Sequence, residues 1–528
     1  MSTSTRGNSN AKSGAAADLL FARSKIRSLN ELAAIAEETR REGHRTVLAH
    51  GAFDLLHLGH VRYLEEARRQ GDKLFVTVTA DAFVNKGPSR PIFPELLRAE
   101  MLGALRCIDW VAINYAPTAV NIIEVLKPDV YVKGVEYKDA ANDVTGKILE
   151  EQAAVESYGG RIHFTDDIIF SSSALINQHI DFGDPKLRAY LDSARQRGYL
   201  EQLPHLIERI GNLRVLMVGE TIIDEYNYVS PLGKPPKELI LATLFRGRET
   251  FAGGVVAAAN HVANFCKNVE ILTCLGEHDS HEQLVKDSLK PNVKLWSVHR
   301  ADAPTVRKIR YVEQDFMRKL FEVYVMDDSR LPPTLEECFE KEIRQRAKDF
   351  DVVIVTDFGH GLLSQRLREA LIESSPFLAV NAQSNSANQG FNLINKYQRA
   401  DYVCIDAPEA RLAVADKDAD LMEIASDFIH SKIVFDRLIV THGRNGCVTY
   451  DRGKGTHRVP AFSNRIVDTM GAGDAFLAVT APLAAVADDM EMVGFIGNVV
   501  GSIKVGILGH RQAVDKVSVL KYIQTLLK

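Results

Sequence analysis

The segment His50-Gly-Ala-Phe-Asp-Leu-Leu-His-Leu-Gly-His60 constrains the fold more than any other stretch of the chain. It follows the short β-rich run Thr46-Val-Leu-Ala. After it, Val61, Leu64 and Ala67 recur at helical spacing, with Glu65, Glu66, Arg68 and Arg69 on the other side. His57 and His60 therefore fall at a strand-to-helix turn. A helix N-terminus presents N–H groups without intrahelical partners and the positive end of the helix dipole. A phosphate chain resting there is held by backbone and by neighbouring imidazoles, and Gly59 lets the backbone approach closely. Two histidines three apart also suit a metal pair or an ordinary surface. Zinc sites take a third protein ligand, however, and no nearby Cys or His stands at ligand spacing.

The same alternation continues. A leading helix, Leu29 to Arg41, carries Leu32, Ile35 and Ala36 on one face. Strands are expected at Leu74 to Thr79, Trp110 to Ile113, Val130 to Val132 and Ile162 to Phe164, with helical stretches between them. This is the pattern of a parallel sheet covered by helices, which binds ligands beyond the carboxyl ends of its strands. Asp81, the loop Asn85-Lys-Gly-Pro-Ser-Arg-Pro91, Val132-Lys-Gly134 and Ser171-Ser-Ser173 all fall at such ends. Lys86 and Arg90 can hold phosphates there or form a solvated basic loop. The serines open a helix, where hydroxyls cap.

Composition narrows the partners. The 528 residues are 46% hydrophobic and 25% charged with a net charge of −5, ordinary for a globular protein of two or three domains. That charge argues against nucleic acid or an acidic membrane as the main partner. The six cysteines show no Cys-x-x-Cys spacing, so neither a zinc site nor a disulfide framework is expected, and a reducing cytosol fits. No apolar run approaches the roughly 18 residues of a membrane helix. Residues 1–17, rich in Ser, Asn, Ala and Gly, read as a disordered tail, with a transit peptide as the weaker alternative.

Residues 183–212 are charged and helical, punctuated by Pro185 and Pro204, and read as a connector. A second alternating pattern then begins with the buried-type strand Val215 to Gly219. Asp224 follows where a sugar hydroxyl can be held, and Phe251-Ala-Gly-Gly254 leads into an Ala/Val helix containing Asn260. The second signature, Asp468-Thr-Met-Gly-Ala-Gly-Asp474, precedes a long apolar helix. Gly471, Ala472 and Gly473 expose backbone N–H groups at a helix start, an anion hole for a transferring phosphoryl group. Asp474 beside them can accept the acceptor hydroxyl's proton.

On these residues the front segment, Arg45 to Ile180, resembles the cytidylyltransferase-like nucleotidyltransferases, whose signature is His-x-Gly-His after Gly-x-Phe-Asp. The resemblance implies that His57, His60 and Lys86 act on the nucleotide's phosphates as its α-phosphorus is attacked and pyrophosphate leaves. It also implies that Gly51, Phe53, Asp81, Arg90, Lys133, Ser171 and Ser172 line the nucleotide. Asp166-Asp167, Val132-Lys-Gly and Glu136-Tyr-Lys are similar to the adenylyltransferase half of the bifunctional heptose-phosphate kinase and adenylyltransferase, so the nucleotide is ATP or CTP.

The rear half, Leu213 to Lys528, resembles the ribokinase-like carbohydrate kinases through the twin glycines, Thr441-His-Gly-Arg-Asn-Gly446 and the terminal signature. By that resemblance Asp474 is the base and Thr441 and Gly443 line ATP. Glu409 of Asp406-Ala-Pro-Glu409 organises Mg²⁺. Asp224, Gly253, Gly254, Asn260, Lys308 and Arg310 face the sugar. Three departures stand out: His360 where the heptose kinases carry lysine, Asn381-Ala-Gln383 in place of Asp-Pro-Lys, and Asp406 in place of Asn. The domain order, nucleotidyltransferase before kinase, is the reverse of the bifunctional heptose enzyme.

The expectation is an α/β chain of two doubly wound domains: a Rossmann-like nucleotidyltransferase over 45–182 and a ribokinase-like kinase over 213–528. A tail and leading helix over 1–44 precede them, and the connector joins them. Leu239 to Phe251 and Thr305 to Val325 are candidate strands of a small β lid that can pair two subunits. The expected function is a cytoplasmic, bifunctional, sugar-activating enzyme of heptose type, phosphorylating a sugar or sugar phosphate and then transferring a nucleotidyl group to a sugar 1-phosphate. Two rivals stay open: a nucleotide- or sugar-binding regulatory protein with one degenerate domain, and two unlinked transferases in one chain.

Overall fold

The computed structural model describes residues 21–528 except 85, 88–89, 139–146, 166–184, 234–239, 429–431 and 464–465. The chain divides into two compact units, one of residues 1–183 with 520–526 and 528, the other of residues 184–519 with 527. Among the described residues no helix is long and apolar enough to cross a membrane.

In the first unit, β1 (Thr46–Gly51), β2 (Lys73–Thr79), β3 (Trp110–Asn114), β4 (Val130–Lys133) and β5 (Arg161–Phe164) form a parallel sheet in the order β3-β2-β1-β4-β5. Thr46 to Ala49 are all buried because both faces of the sheet are covered. Val47 and Ala49 join Leu64, Ala67, Val76 and Leu102 on one side. Leu48, between them in sequence, points the opposite way into a cluster with Leu32, Ala36, Phe75, Ile122 and Tyr131. Strand order reverses between β2-β1 and β1-β4, so the crevice for a ligand opens beyond the carboxyl end of β1.

The helix Leu29–Arg41 begins at a capping box in which Ser28 and Glu31 satisfy each other's backbone N–H groups. Its Leu32 and Ala36 lie in the core, and Ile26 pairs with Val111 as an isolated bridge to β3. The first compact core therefore starts ahead of residue 45. The connector is helical, as expected, and packs within the second unit. Its helices, Pro185–Gln196 and Tyr199–Arg209, fall in the second unit, where Tyr199, Leu203, Leu206 and Ile207 form a buried stripe at helical spacing. Arg197 pairs with Glu491 at 2.6 Å.

The second unit is built on a nine-stranded sheet ordered β10-β9-β6-β13-β14-β15-β16-β17-β18. Its strands are β6 (Arg214–Gly219), β9 (Asn268–Gly276), β10 (Val293–Arg300), β13 (Val352–Asp357), β14 (Leu378–Ala382), β15 (Tyr402–Asp406), β16 (Arg437–Thr441), β17 (Cys447–Asp451) and β18 (Gly455–Val459). Pairing is parallel from β10 to β16 and antiparallel from there to β18. Leu216, Val218, Val353 and Val355 pack on Phe339, Leu367 and Leu371 of the helices Pro333–Arg346 and Gln365–Ser374. The helix Ala472–Val486 packs against β13 and β15. It is apolar nearly all round, as a helix enclosed on every side must be; beyond its first turn the buried Thr480 accepts a hydrogen bond from Tyr402 at 2.9 Å.

A separate four-stranded sheet, β12-β11-β7-β8, comprises β7 (Thr221–Gly233), β8 (Ala242–Gly254), β11 (Val306–Glu313) and β12 (Arg318–Val325). It contains the expected lid segments from Ala242 and from Val306 onward, Leu239 lying outside the described residues, and adds β7. That strand is buried at its start, where Asp224 lies, and exposed at its tip. In register, Lys308 of β11 stands beside Asp224 and Arg310 beside Tyr226.

Candidate functional site

The crevice of the second unit forms where β7, β8 and β11 meet the start of the helix Ala472–Val486. Gly471 is the N-cap residue with φ +69°, a left-handed conformation that glycine adopts without strain. Ala472 N–H donates to Thr469 O at 3.2 Å, and a Cβ on Gly473 would meet only open space. Asp474, in the first helical turn, is buried, and its Oδ1 accepts a hydrogen bond from Gln383 Nε2 at 2.6 Å.

Asp224 is equally buried. Arg310 donates to its Oδ1, and His510 Nε2 stands 3.1 Å from its Oδ2. Gly253 makes room for this pair, since a Cβ there would come within 2.0 Å of Asp224 Oδ2. Gly254, at φ +60°, turns the chain from β8 into the helix Val255–Val262. Lys308 lies over the Tyr324 ring at 5.1 Å, and Arg310 also pairs with Glu322 at 3.2 Å. The loops are pinned from below. Lys504, fully buried, donates to Met470 O at 2.7 Å and to Gly509 O at 2.8 Å. Asp468 accepts from Lys319 Nζ at 2.8 Å, Gly509 N–H at 2.9 Å and Tyr226 O–H at 3.1 Å.

Other expected residues stand differently. Asn260 ties its helix to the loop before β10, donating to Ser288 O at 2.9 Å and accepting from Lys290 N–H at 3.0 Å. Glu409 and Asp406 form a capping box: Glu409 accepts N–H groups from Ser384 at 3.0 Å and Asp406 at 2.9 Å. Among the described residues no group of three His, Cys, Asp or Glu side chains is placed to hold a metal ion. Thr441 ends β16, and Gly443, at φ +52°, opens the short turn Gly443–Asn445 that follows it. His360 is buried, and neither ring nitrogen has a hydrogen-bond partner among the described residues.

In the first unit, Gly51 ends β1, Phe53 takes φ +48°, and His57 is the N-cap residue of the helix Leu58–Arg69 without capping it through its side chain. The His57 and His60 rings stack with centroids 4.0 Å apart, and Phe53 meets His60 edge-on at 5.4 Å. Tyr63 O–H donates to Val132 O at 2.8 Å, joining this helix to β4. Arg90 forms a buried pair with Asp54 at 3.1 Å, whose other oxygen accepts Ile92 N–H at 2.6 Å. Lys133 pairs with Glu151 at 2.8 Å and lies over the Tyr137 ring at 4.8 Å. Asp81 pairs with Arg98. Arg98, fully buried, also donates to Ala52 O, to Thr79 O at 2.8 Å and to Phe93 O at 2.8 Å, drawing together the loops beyond β1 and β2. Ser171 and Ser172 lie outside the described residues.

Comparison with known proteins bears on both halves. The model of the pfkB family carbohydrate kinases matches residues 212–516, more than half of the chain. The chain belongs to the pfkB family. A cytidylyltransferase-like model matches residues 48–178, ahead of the kinase segment. Over that front region the chain is 43% identical to the bifunctional protein HldE of Syntrophotalea carbinolica across 159 residues, 30% of this chain and 31% of that protein. It is 42% identical to HldE of Geotalea uraniireducens across 164 residues, 31% of this chain and 32% of that one. The chain thus spans about a third of the length of these curated relatives. Among solved structures, Escherichia coli phosphofructokinase-2 is 16% identical, with 60% of this chain and all of that chain covered at a TM-score of 0.48.

Electrostatics separate the groups of this pfkB family member. Burial pushes the Asp474 carboxyl up, and His510 and the Gln383 amide offset this only in part. Burial also lowers Lys308, and it lowers His360 to about 4 with help from Lys308, so that imidazole is neutral. In the front crevice, burial followed by the neighbouring charge of His57 and Lys86 lowers His60 to about 3; His57 is lowered by burial and Lys86. Burial brings Lys86 down to about 8 despite Asp54. Without ligand, the two histidines are neutral N–H donors beside one cation. Sequence reasoning missed Arg98, Lys504 and His510, none of which carries a local motif. The Glu409 arrangement did have a signal, because Asp-x-x-Glu before an apolar stretch is a capping box.

Proposed function

We propose that the chain is a bifunctional sugar-activating enzyme: its kinase half phosphorylates a sugar or sugar phosphate with MgATP, and its front half transfers a nucleotidyl group to the resulting sugar 1-phosphate. The observation that carries the reading is the buried Asp474 carboxylate at a glycine-capped helix start, in a chain that also stacks His57 on His60 at a second helix start. In the kinase half, Asp474 takes the proton of the acceptor hydroxyl as it attacks the γ-phosphorus, and the first-turn N–H groups other than that of Ala472, which donates to Thr469 O, stabilise the charge on the phosphoryl oxygens. In the front half, His57, His60 and Lys86 bind the phosphates while the sugar 1-phosphate oxygen attacks the α-phosphorus and pyrophosphate leaves.

Magnesium, when bound, neutralises phosphate charge. It takes most of its ligands from phosphates and water, which suits a site whose nearest candidate, Glu409, has both carboxylate oxygens on backbone N–H groups. Likeness to HldE over the front third favours ATP over CTP and a heptose-type acceptor. We assign the enzyme to the cytoplasm, with small molecules as its partners rather than nucleic acid or membrane. We also assign it a homodimer through the lid, whose Leu244, Phe245, Phe321 and Val323 are exposed apolar side chains.

Incubating the purified chain with [γ-³²P]ATP or [α-³²P]ATP, magnesium and heptose or heptose phosphates tests the reading. Labelled sugar phosphate and labelled nucleoside-diphosphate sugar are the expected products, and absence of both sinks it. The ion pairs Arg90–Asp54 and Lys133–Glu151 favour one second reading, a front half that senses nucleotide without turnover. Tight nucleotide binding with no pyrophosphate release would establish that instead.

A further inference from the structure

His510 stands in the kinase crevice with no counterpart in the signatures described above. Its backbone is fixed on both sides: Gly509 donates to Asp468 and accepts from Lys504, and Arg511 pairs with Glu249 of β8 at 2.6 Å. The imidazole is 6% exposed. Its Cε1 lies 2.7 Å, and its Nδ1 3.3 Å, from where a Cβ on Gly471 would be, so this edge faces the glycine-capped helix start. The opposite edge, Nε2, meets Asp224 Oδ2 at 3.1 Å. Arg310 holds the other oxygen of Asp224, so both oxygens of the residue expected to bind the sugar are already engaged.

A carboxylate at Nε2 holds the proton there and leaves Nδ1 as a lone-pair acceptor. That Nδ1 is buried and has no hydrogen-bond partner among the described residues. A buried acceptor left unsatisfied is costly, and the group that satisfies it must be a donor. Ionised nucleotide phosphates carry no donor, whereas sugar hydroxyls do. We propose that His510 is a specificity-determining residue of the kinase site, its Nδ1 accepting a hydrogen bond from an acceptor hydroxyl other than the one that Asp474 deprotonates. The assignment rests on the kinase reading. Asp224 then acts through His510, orienting the ring.

Two substitutions separate the ring's edges. His510→Gln places an amide where Nε2 was and nothing at Nδ1; His510→Asn does the reverse. With the full chain, MgATP and heptose 7-phosphate, ribose and fructose 6-phosphate as acceptors, His510→Gln should raise acceptor KM roughly tenfold and leave ATP KM unchanged. His510→Asn should stay within about threefold of the parent, as one hydrogen bond is kept. Among monodeoxy forms of the accepted sugar, one should lose a similar factor with the parent and nothing further with His510→Gln. The proposal is overturned if ATP KM moves with acceptor KM, if both variants fall alike, or if all deoxy forms suffer equally in both proteins. A parent that phosphorylates none of the three acceptors removes the kinase reading and this assignment with it. A parent that turns over while His510→Gln matches it removes this assignment alone.

Discussion

Replacing Asp474 with Asn removes one property from the kinase site. The side chain keeps its size, and an Asn oxygen can still accept from Gln383 Nε2, the 2.6 Å contact of the native carboxylate. The remaining atom then becomes an NH₂ group, which donates where a proton must be accepted. General-base removal lowers rates by about 10² to 10⁴, or roughly 3–5 kcal/mol of barrier. Kinase kcat should fall by about that range while ATP Kd, set largely by Gly471 to Gly473 and the nucleotide pocket, changes little. Stability should move the other way. Burial raises this carboxyl above its ordinary range, so in the folded chain its ionised form is disfavoured relative to the unfolded one. The penalty is absent below the ordinary carboxylate pKa and grows as pH rises through the folded value. The Asn variant should therefore melt at the same or a higher temperature at pH 7. Coupled ADP release, equilibrium nucleotide binding and calorimetry read the three quantities. An Asn variant within about threefold of parental kcat would refute the argument.

The remaining expectations concern both halves. His57→Ala and His60→Ala should each abolish nucleotidyl transfer while phosphorylation continues, as read by pyrophosphate and ADP release in parallel; equal loss of both would count against separate sites. Lys86, lowered to about 8, holds its charge only below that pH in the free enzyme, so front-half kcat/KM should fall as pH rises through about 8, and Lys86→Arg should flatten that limb. Arg98→Met should destabilise the first unit by about 1–3 kcal/mol in urea unfolding, because the carbonyls of Ala52, Thr79 and Phe93 lose the buried guanidinium that reaches them. Gly471→Ala should cost kinase activity without loss of the fold, since its Cβ would strike His510 at 2.7 Å, and a variant as active as the parent would place phosphate elsewhere.

What was legible in the sequence was what a helix start can encode locally. His57 to His60 and Asp468 to Asp474 each pack their chemistry into one turn, so residue order alone reports the geometry. Residues arriving from distant segments left no such trace. Gln383 reaches Asp474 across 91 positions and was legible only as a missing lysine; the structure gives its amide a partner. Arg90 was legible as a loop cation and Lys133 as a residue near the nucleotide, but a sequence shows charge and not the Asp54 and Glu151 that meet them. The connector was legible as helical, but its packing was not, since Tyr199, Leu203 and Leu206 bury one face among charged neighbours. Glu409 was assigned by resemblance over a capping pattern already visible in Asp406-x-x-Glu409.

The three aspartates of the kinase crevice show how environment distributes roles that residue type alone cannot. Burial raises all three, as it does any carboxylate. At Asp224 this is outweighed by His510 and Arg310, which hold the group at about 2. At Asp468, Lys319 and the backbone N–H groups of Gly509 and Met470 likewise win, and the group stays below its ordinary value. Asp474 pairs with no Lys or Arg among the described residues and accepts from the Gln383 amide, so burial prevails and its pKa rises. A carboxylate already paired with Arg310 or Lys319 is a poor proton acceptor; one raised by burial is a better one. On the proposed kinase reading, proton affinity therefore favours Asp474 as the base independently of its position in the signature, while Asp224 stays paired with Arg310 and His510 and Asp468 ties β12 to the helix start.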